Sequence, residues 1–284
     1  MKKWIFPLLL IITIIITGCS TQTSDQPTKS STTIKVGIRS SELRTWEFIK
    51  KKAARDGLTI KLVNFSSAYD PDQALAEGDI DVNAFQHVAY LDSFNQKNGT
   101  TIVPIGTTII APLGLYSEKY KSINEIPQGA QIAVPNDPPN WGRALLLLQE
   151  AGLIKVTDDF DGNGGQDKIK ENPKKLKIIP VEAANTPRVM QDTAGSIINN
   201  GVAVEAGLGL KDALVHESKT AKPYINIIAA NKKDKNRTEL KKLVSIYQSE
   251  DTANFIKKTY KGNYIPTFIS LKELSTYKET FQTK

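Results

Sequence analysis

QIAVPNDPPNWGRALLLLQEAG, residues 131–152, contains the change of direction on which the fold is read. QIAVP (131–135) is a short apolar run of the kind that forms a buried strand. RALLLLQEAG (143–152) is an apolar helix with Gly152 as its natural stop. This pair opens a second strand–helix series, because a complete one precedes it. IKVGI (34–38) reads as a strand, and residues 42–56 place Leu43, Trp46, Ile49 and Ala53 at helical spacing before Gly57. LTIKLVNF (58–65) is the next strand, and Asp70-Pro71 starts a short helix with Asp as N-cap. DIDVNAF (79–85) is a third strand, followed by a helix ending near Asn98-Gly99. TIVPIGTTII (101–110) and PLGLYS (112–117) are then extended. Beyond the second helix, LKIIPV (176–181), GSIINN (195–200) and PYINIIAAN (223–231) are strands, and two lysine-rich amphipathic helices close the chain. Alternation of this kind predicts an α/β fold with a largely parallel sheet. Two series without an internal repeat predict two α/β lobes with a ligand cleft between them.

Composition agrees with a globular chain. Of 284 residues, 40% are hydrophobic and 24% charged, enough to bury a sizeable core. The formal net charge is +7, but two of the lysines lie in the leader and the rest are scattered. No basic run is interleaved with stacking aromatics, so nucleic acid is not a partner, and the lysines read as a solvated face.

Cys19 is the only cysteine, which excludes an intramolecular disulfide and any multi-cysteine metal site. Its surroundings explain it. Met1-Lys2-Lys3 is a positive n-region, and the apolar run from Trp4 to Thr17 is shorter than the roughly 20 residues of a membrane-spanning helix. Ile16-Thr17-Gly18-Cys19 resembles a lipobox with Ile16 in place of the usual leucine. Residues 1–18 are thus a lipoprotein signal peptide and Cys19 the lipidated N-terminus. Ser20 to Thr33 is Ser/Thr-rich and aperiodic, which makes 19–33 a flexible tether. Two acyl chains on one cysteine give stable anchoring, so the protein is expected on the extracytoplasmic face of the cell membrane.

GDIDVNAFQHVAYLDSFN (78–95), PLGLYSEKYKSINEIP (112–127), NDPPNWGRALLLLQEAGLI (136–154) and ENPKKLKIIPVEAANTPR (171–188) resemble the NlpA/MetQ family of methionine-binding lipoproteins. The resemblance runs from about Ile34 to Phe268. It implies a two-lobed type II periplasmic-binding-protein fold, with 34–115 and 224–284 forming lobe I and 116–223 forming lobe II. It also implies an amino-acid ligand, methionine first, and an ABC importer with a membrane permease and an ATPase as partner. No cofactor or metal is implied.

A free amino acid carries two charges that a cleft must pair, since an unmatched buried charge costs several kcal/mol. Arg143, read here at the start of its helix, offers a bidentate fork for a carboxylate, and the family's carboxylate-binding arginine falls in the matching GRAL segment. Asn140 faces the ligand's polar end or serves as N-cap of that helix. Asn199 matches a family asparagine that holds the ligand's polar atoms, although an asparagine at a strand end is also a common turn residue. Phe85 and His87 fall at the end of a strand, where open α/β sheets bind ligands. Phe85 suits an apolar side chain or thioether, and His87 a neutral hydrogen-bonding wall. Tyr69 matches a pocket-lining family aromatic, and Tyr90 is placed in the pocket or in the core.

Two positions depart from the family pattern. Ala111 and Val202 stand where an aromatic and a tyrosine are usual, so a pocket they face is larger or less aromatic than a methionine site. Another apolar amino acid or a methionine-containing dipeptide is then an alternative ligand. DFDGNG (159–164), with Asp167 at a ninth position, resembles half a calcium loop. Lys170 occupies the position of the bidentate glutamate and Gln166 that of an apolar residue, so a polar loop is the better reading. His87 and His216 are the only histidines and neither has a metal-ligand spacing, which argues against an enzyme. A surface adhesin or structural lipoprotein is the remaining alternative.

Overall fold

Strand β1 (Thr33–Ile38) buries Ile34, Val36 and Ile38 completely, and it seeds the first of two sheets. The computed structural model describes residues 33–65, 70–218 and 222–281. The signal peptide, Cys19, the tether as far as residue 32, and Tyr69 lie outside the described residues.

From β1 the chain enters α1 (Leu43–Arg55), whose Trp46, Ile49 and Ala53 recur on one face and are fully buried against the sheet. It continues through β2 (Thr59–Asn64), α2 (Pro71–Glu77), β3 (Val82–Asn83), α3 (Val88–Asn98) and β4 (Ile102–Ile110). Asp70 caps α2 by accepting the Asp72 N–H at 2.9 Å, and Gly99 ends α3 at φ 65°, a left-handed position that suits glycine. The second sheet takes β5 (Gly114–Tyr116), β6 (Gln131–Pro135) followed by α4 (Pro138–Glu150), a separate β7 (Lys155–Val156) and β8 (Ile169–Glu171) ribbon, β9 (Lys177–Val181), β10 (Gly195–Ile198), α5 (Asn200–Glu205) and β11 (Val215–His216). The chain then returns to the first sheet through β12 (Ile225–Asn231), α6 (Thr238–Tyr247), α7 (Glu250–Tyr260), β13 (Ile265–Pro266) and α8 (Leu271–Leu274).

The strand orders are β13-β4-β12-β3-β1-β2 and β11-β5-β10-β6-β9. Each sheet has apolar clusters on it, Ile34–Trp46–Ile228–Leu243 and Leu75–Leu91–Ile227 on the first, Leu115–Ile132–Leu145–Ile197 on the second. These are two α/β lobes; the chain passes from the first to the second around Ala111–Leu113 and returns between β11 and β12.

The structure revises four readings. The sheets are mixed rather than largely parallel: β12 runs antiparallel to both β3 and β4, and β5 runs antiparallel to β10. This follows from the returning and crossing strands, which enter each sheet from its far end. β5 pairs in the second sheet, whereas the resemblance implies that lobe I runs to residue 115; Leu113 and Leu115 are wholly buried in the second lobe's core. Only Val82–Asn83 of 79–85 forms strand, because Asp81 turns its carboxylate to the Lys35 N–H and to Arg237. Phe85 and His87 therefore lie past the strand, not at its last residue. Finally, α4 begins at Pro138, with Asp137 accepting the Asn140 N–H at 3.0 Å as N-cap. Asn140 is the third helical residue rather than the cap, and Arg143 sits in the second turn rather than at the start.

The loop 159–165 is a packing element for that helix. Lys170 pairs with Asp158 and Lys168 with Asp159, and the Gly164 N–H donates to the Pro138 carbonyl at 2.8 Å. The loop lies so close to α4 that a Cβ on Gly142 would stand 2.2 Å from the Gly162 carbonyl oxygen. Gly142→Ala is expected to lower stability by about 1–3 kcal/mol through overpacking. A drop in the urea midpoint at unchanged slope is the measurement; an unchanged midpoint would show that the loop is not held there.

Candidate functional site

A cleft of about 890 Å³ opens between the lobes, within the roughly 300–1,000 Å³ typical of small-molecule sites. The first lobe contributes the segment after β1, Phe85 to Tyr90 and Asn226, and the second contributes the first turns of α4, Asn199 and Val202. Both walls thus come from where strands end and helices begin, the usual ligand position in open α/β sheets.

Arg143 is buried, yet it lines the cleft. Its Nε donates to Glu217 Oε1 at 2.7 Å, and its Nη2 donates to Glu217 Oε2 at 2.5 Å and to the Ala111 carbonyl at 2.9 Å. The guanidinium also stacks 4.5 Å from the centre of the Tyr224 ring. These contacts fix the side edge of the fork and leave Nη1 with no hydrogen bond among the described residues. Glu217 also accepts the Leu113 N–H at 2.8 Å, and its own N–H donates to the Leu113 carbonyl. One carboxylate therefore joins the arginine to both crossing segments.

Asn140 is a hub. Its Oδ1 accepts from Asn199 Nδ2 at 2.8 Å and from His87 Nε2 at 3.2 Å, and its Nδ2 donates to Asp137 Oδ1 at 2.9 Å. Both lone pairs of the oxygen are taken, so one amide hydrogen is left for anything else. Asn199 is different: its Oδ1 is buried and accepts from no group among the described residues. Burial pushes the Asp137 carboxyl up from its ordinary value, opposed by the Asn140 hydrogen bonds.

His87 caps α3, an uncommon role for histidine. Its Nδ1 accepts the Tyr90 N–H at 3.1 Å, which puts the ring hydrogen on Nε2, pointing at Asn140. Burial, assisted by the nearby Arg143, lowers its pKa to about 3. Unfolded histidine titrates near 6.5, so acidification below that value protonates the unfolded chain first and removes stability steadily as pH falls towards 3. In the folded protein, the His87 ring carbon proton is expected to keep its NMR shift from pH 8 to 5. A titration midpoint near 6.5 would contradict the buried neutral tautomer.

Phe85 lies on the same wall, with Arg39 5.4 Å above its ring and Tyr90 edge-on at 6.0 Å. The Tyr90 hydroxyl donates to Asp70 Oδ2 at 3.2 Å. Behind this wall, Asp72 is fully buried and receives the amides of Asn83 and Gln86, with burial pushing its carboxyl up to about 7. Ala111 and Val202 both line the cleft. Besides the His87–Asn140 bond, the Ser41 N–H donates across it to Glu205 Oε1 at 2.8 Å.

The structure thus gathers Phe85, His87, Tyr90, Ala111, Asn140, Arg143, Asn199 and Val202 around one cleft. It adds Glu42 and Asn226 to the lining, and Glu217 and Tyr224 against Arg143, none of which the sequence pattern marks. Glu217 lies beside a two-residue strand with no periodic signal. The clue to it was the need of a buried Arg143 for a carboxylate.

Two α/β lobes on paired crossing segments, with an arginine and a cluster of amides in the crevice, define a solute-binding protein of the type II periplasmic-binding class. The chain belongs to the NlpA lipoprotein family, which residues 34–268 match. It is 37% identical over 284 residues to the uncharacterized lipoprotein YhcJ of Bacillus subtilis, covering 99% of this chain and 100% of that one. It is 38% identical over 261 residues to the D-methionine-binding lipoprotein MetQ of Escherichia coli, covering 90% and 94%. Among solved structures, protein PG110 from Staphylococcus aureus is 38% identical with a TM-score of 0.83, covering 87% of this chain and 99% of that one. A nutrient binding protein from Burkholderia cenocepacia bound to methionine is 45% identical with a TM-score of 0.79, covering 83% and 100%. Its relatives are lipoproteins, and among the described residues no helix is long and apolar enough to cross a membrane.

Proposed function

We propose that the protein is the receptor of an ABC importer, anchored by lipid on Cys19 outside the cytoplasmic membrane, that captures methionine or a closely related ligand. The observation that carries this reading is the free Nη1 of Arg143 at the cleft, on a fork whose other edge is held by Glu217. A carboxylate docks there with a charge-assisted hydrogen bond and needs no reorganisation of the arginine. The unpaired Oδ1 of Asn199 accepts an N–H of the same polar end. Phe85 covers the side chain, where a thioether gains an aromatic contact. Closure of the lobes about the two crossing segments then presents one surface to the permease and its ATPase. The protein binds and releases its ligand unchanged.

A second reading, a methionine-containing dipeptide as ligand, is favoured by one observation: Ala111 and Val202 both face the cleft, and neither fills it with a ring. Thermal melts with L-methionine, D-methionine, other apolar amino acids, L-alanyl-L-methionine and L-methionyl-L-alanine test both. Saturating ligand raises the melting temperature by mass action. The largest shift with methionine supports the first reading, and the largest with a dipeptide supports the second. No shift with any of them would return the protein to the adhesin class.

A further inference from the structure

The cleft carries a second charge-bearing group that the binding scheme above leaves unused. Glu42 ends the 3-10 turn Ser40–Glu42 after β1, on the first-lobe wall, opposite in lobe to Arg143. It lines the cleft but is only 5% exposed. Carboxylates buried to this extent are normally paired with a cation. Among the described residues Glu42 has no such partner. Its polar neighbours are the indole of Trp46 on α1 and the amide of Asn226 on β12. The other titratable groups around it are the hydroxyls of Tyr247 on α6, Tyr260 on α7 and Tyr264. Arg44, which interacts with Tyr260, is exposed, and Glu205 beyond Tyr264 is a second acid. The groups around Glu42 are therefore neutral or acidic apart from two guanidiniums: the exposed Arg44, and Arg39, whose carbonyl accepts the Glu42 N–H and whose side chain is turned to the Phe65 carbonyl and the Phe85 ring.

We propose that Glu42 is the counter-charge for the ligand's ammonium group, so that the receptor selects ligands carrying both a carboxylate and a protonated amine and spans them between its lobes. The inference rests on the receptor reading above. An ammonium offers three donors, and a carboxylate flanked by an amide supplies acceptors in one place. Arg143 on the second lobe and Glu42 on the first give the zwitterion two anchors of opposite sign, which ties occupancy to lobe closure.

The pairing has a proton consequence. Burial, only partly offset by Trp46 and Asn226, pushes the free Glu42 carboxyl up to about 8. It is protonated at neutral pH in the empty cleft. When the ligand's –NH3+ docks, the carboxyl O–H ionises, its proton leaves to solvent, and a carboxylate–ammonium pair remains. Without ligand the sign is opposite to that of His87: a raised folded pKa contributes stability below the unfolded value of 4.5, and that contribution is lost as pH rises towards 8.

The test is calorimetric titration of the folded receptor at pH 7 with L-methionine and with L-alanyl-L-methionine, in phosphate and in Tris. Wild-type protein is expected to release a proton on binding, seen as a buffer-dependent heat. Glu42→Gln, isosteric with the protonated acid, is expected to abolish that release and to weaken binding at least 10-fold. For 4-(methylthio)butanoate, which keeps the carboxylate and thioether but lacks the amine, the variant is expected to change affinity less than twofold. Binding without proton release, or Glu42→Gln matching wild type on both ammonium ligands, overturns the assignment while leaving the receptor reading intact. The wild-type buffer comparison decides the point even where the variant does not fold. If neither ligand binds wild type, the receptor reading and this inference fall together.

Discussion

Arg143→Ala is expected to weaken binding of the methionine-class ligand by about 100-fold or more, because truncating one member of a buried charged pair with a ligand costs roughly 2–5 kcal/mol. The cause is twofold. The ligand carboxylate loses the guanidinium it docks on, and the Glu217 carboxylate is left in a buried place without its two guanidinium bonds. Arg143→Lys separates the two effects. Lysine keeps the charge as a single point but cannot bridge Glu217 and still present a second edge to the cleft. It is expected to recover part of the stability and little of the affinity. Calorimetry with wild type and both variants is the check, and an Arg143→Ala protein with wild-type affinity would remove the arginine from the site.

Glu217→Ala carries the largest expected loss of stability, about 3–5 kcal/mol, which is the usual result of breaking a buried ion pair from one side. Three donors lose their acceptor at once: Arg143 Nε, Arg143 Nη2 and the Leu113 N–H. In a folded part of this size that corresponds to a fall in melting temperature of about 10 °C. Binding is expected to weaken as well, since the fork is then free to rotate away from the cleft. A double-mutant cycle with Arg143→Lys distinguishes this from general damage. If Glu217 acts on the ligand through Arg143, the affinity losses of the two variants are strongly non-additive. Additive losses would make Glu217 only a support of the crossing segments.

The division into two α/β lobes was legible because the strand and helix periods are clean on either side of QIAVP. The cap at Asp70 and the stop at Gly99 were legible from local chemistry. The start of α4 was not: PNDPPN contains prolines that read as a loop, yet Pro138 is a favourable first helical residue once Asp137 caps it. With Asp137 as the cap, the N-cap alternative for Asn140 falls away and its amide faces the cleft. The sense of β4, β5 and β12 depends on crossings between lobes, which no local period encodes. At the site, Arg143, His87 and Asn199 carried a family pattern. Glu42 and Glu217 carried none, since acids on short turns look like surface until a fold buries them. Asn226 was hidden inside the strand PYINIIAAN, where its side chain lines the cleft.

The central claim is that a small zwitterionic solute binds between the lobes with its carboxylate on Arg143. Calorimetric titration of wild-type and Arg143→Ala protein with L-methionine and L-alanyl-L-methionine addresses it most directly. A 1:1 isotherm is expected for at least one of these ligands with wild type, and its loss in the variant. The same affinity in both proteins, or no heat of binding from either ligand with wild type, would contradict it.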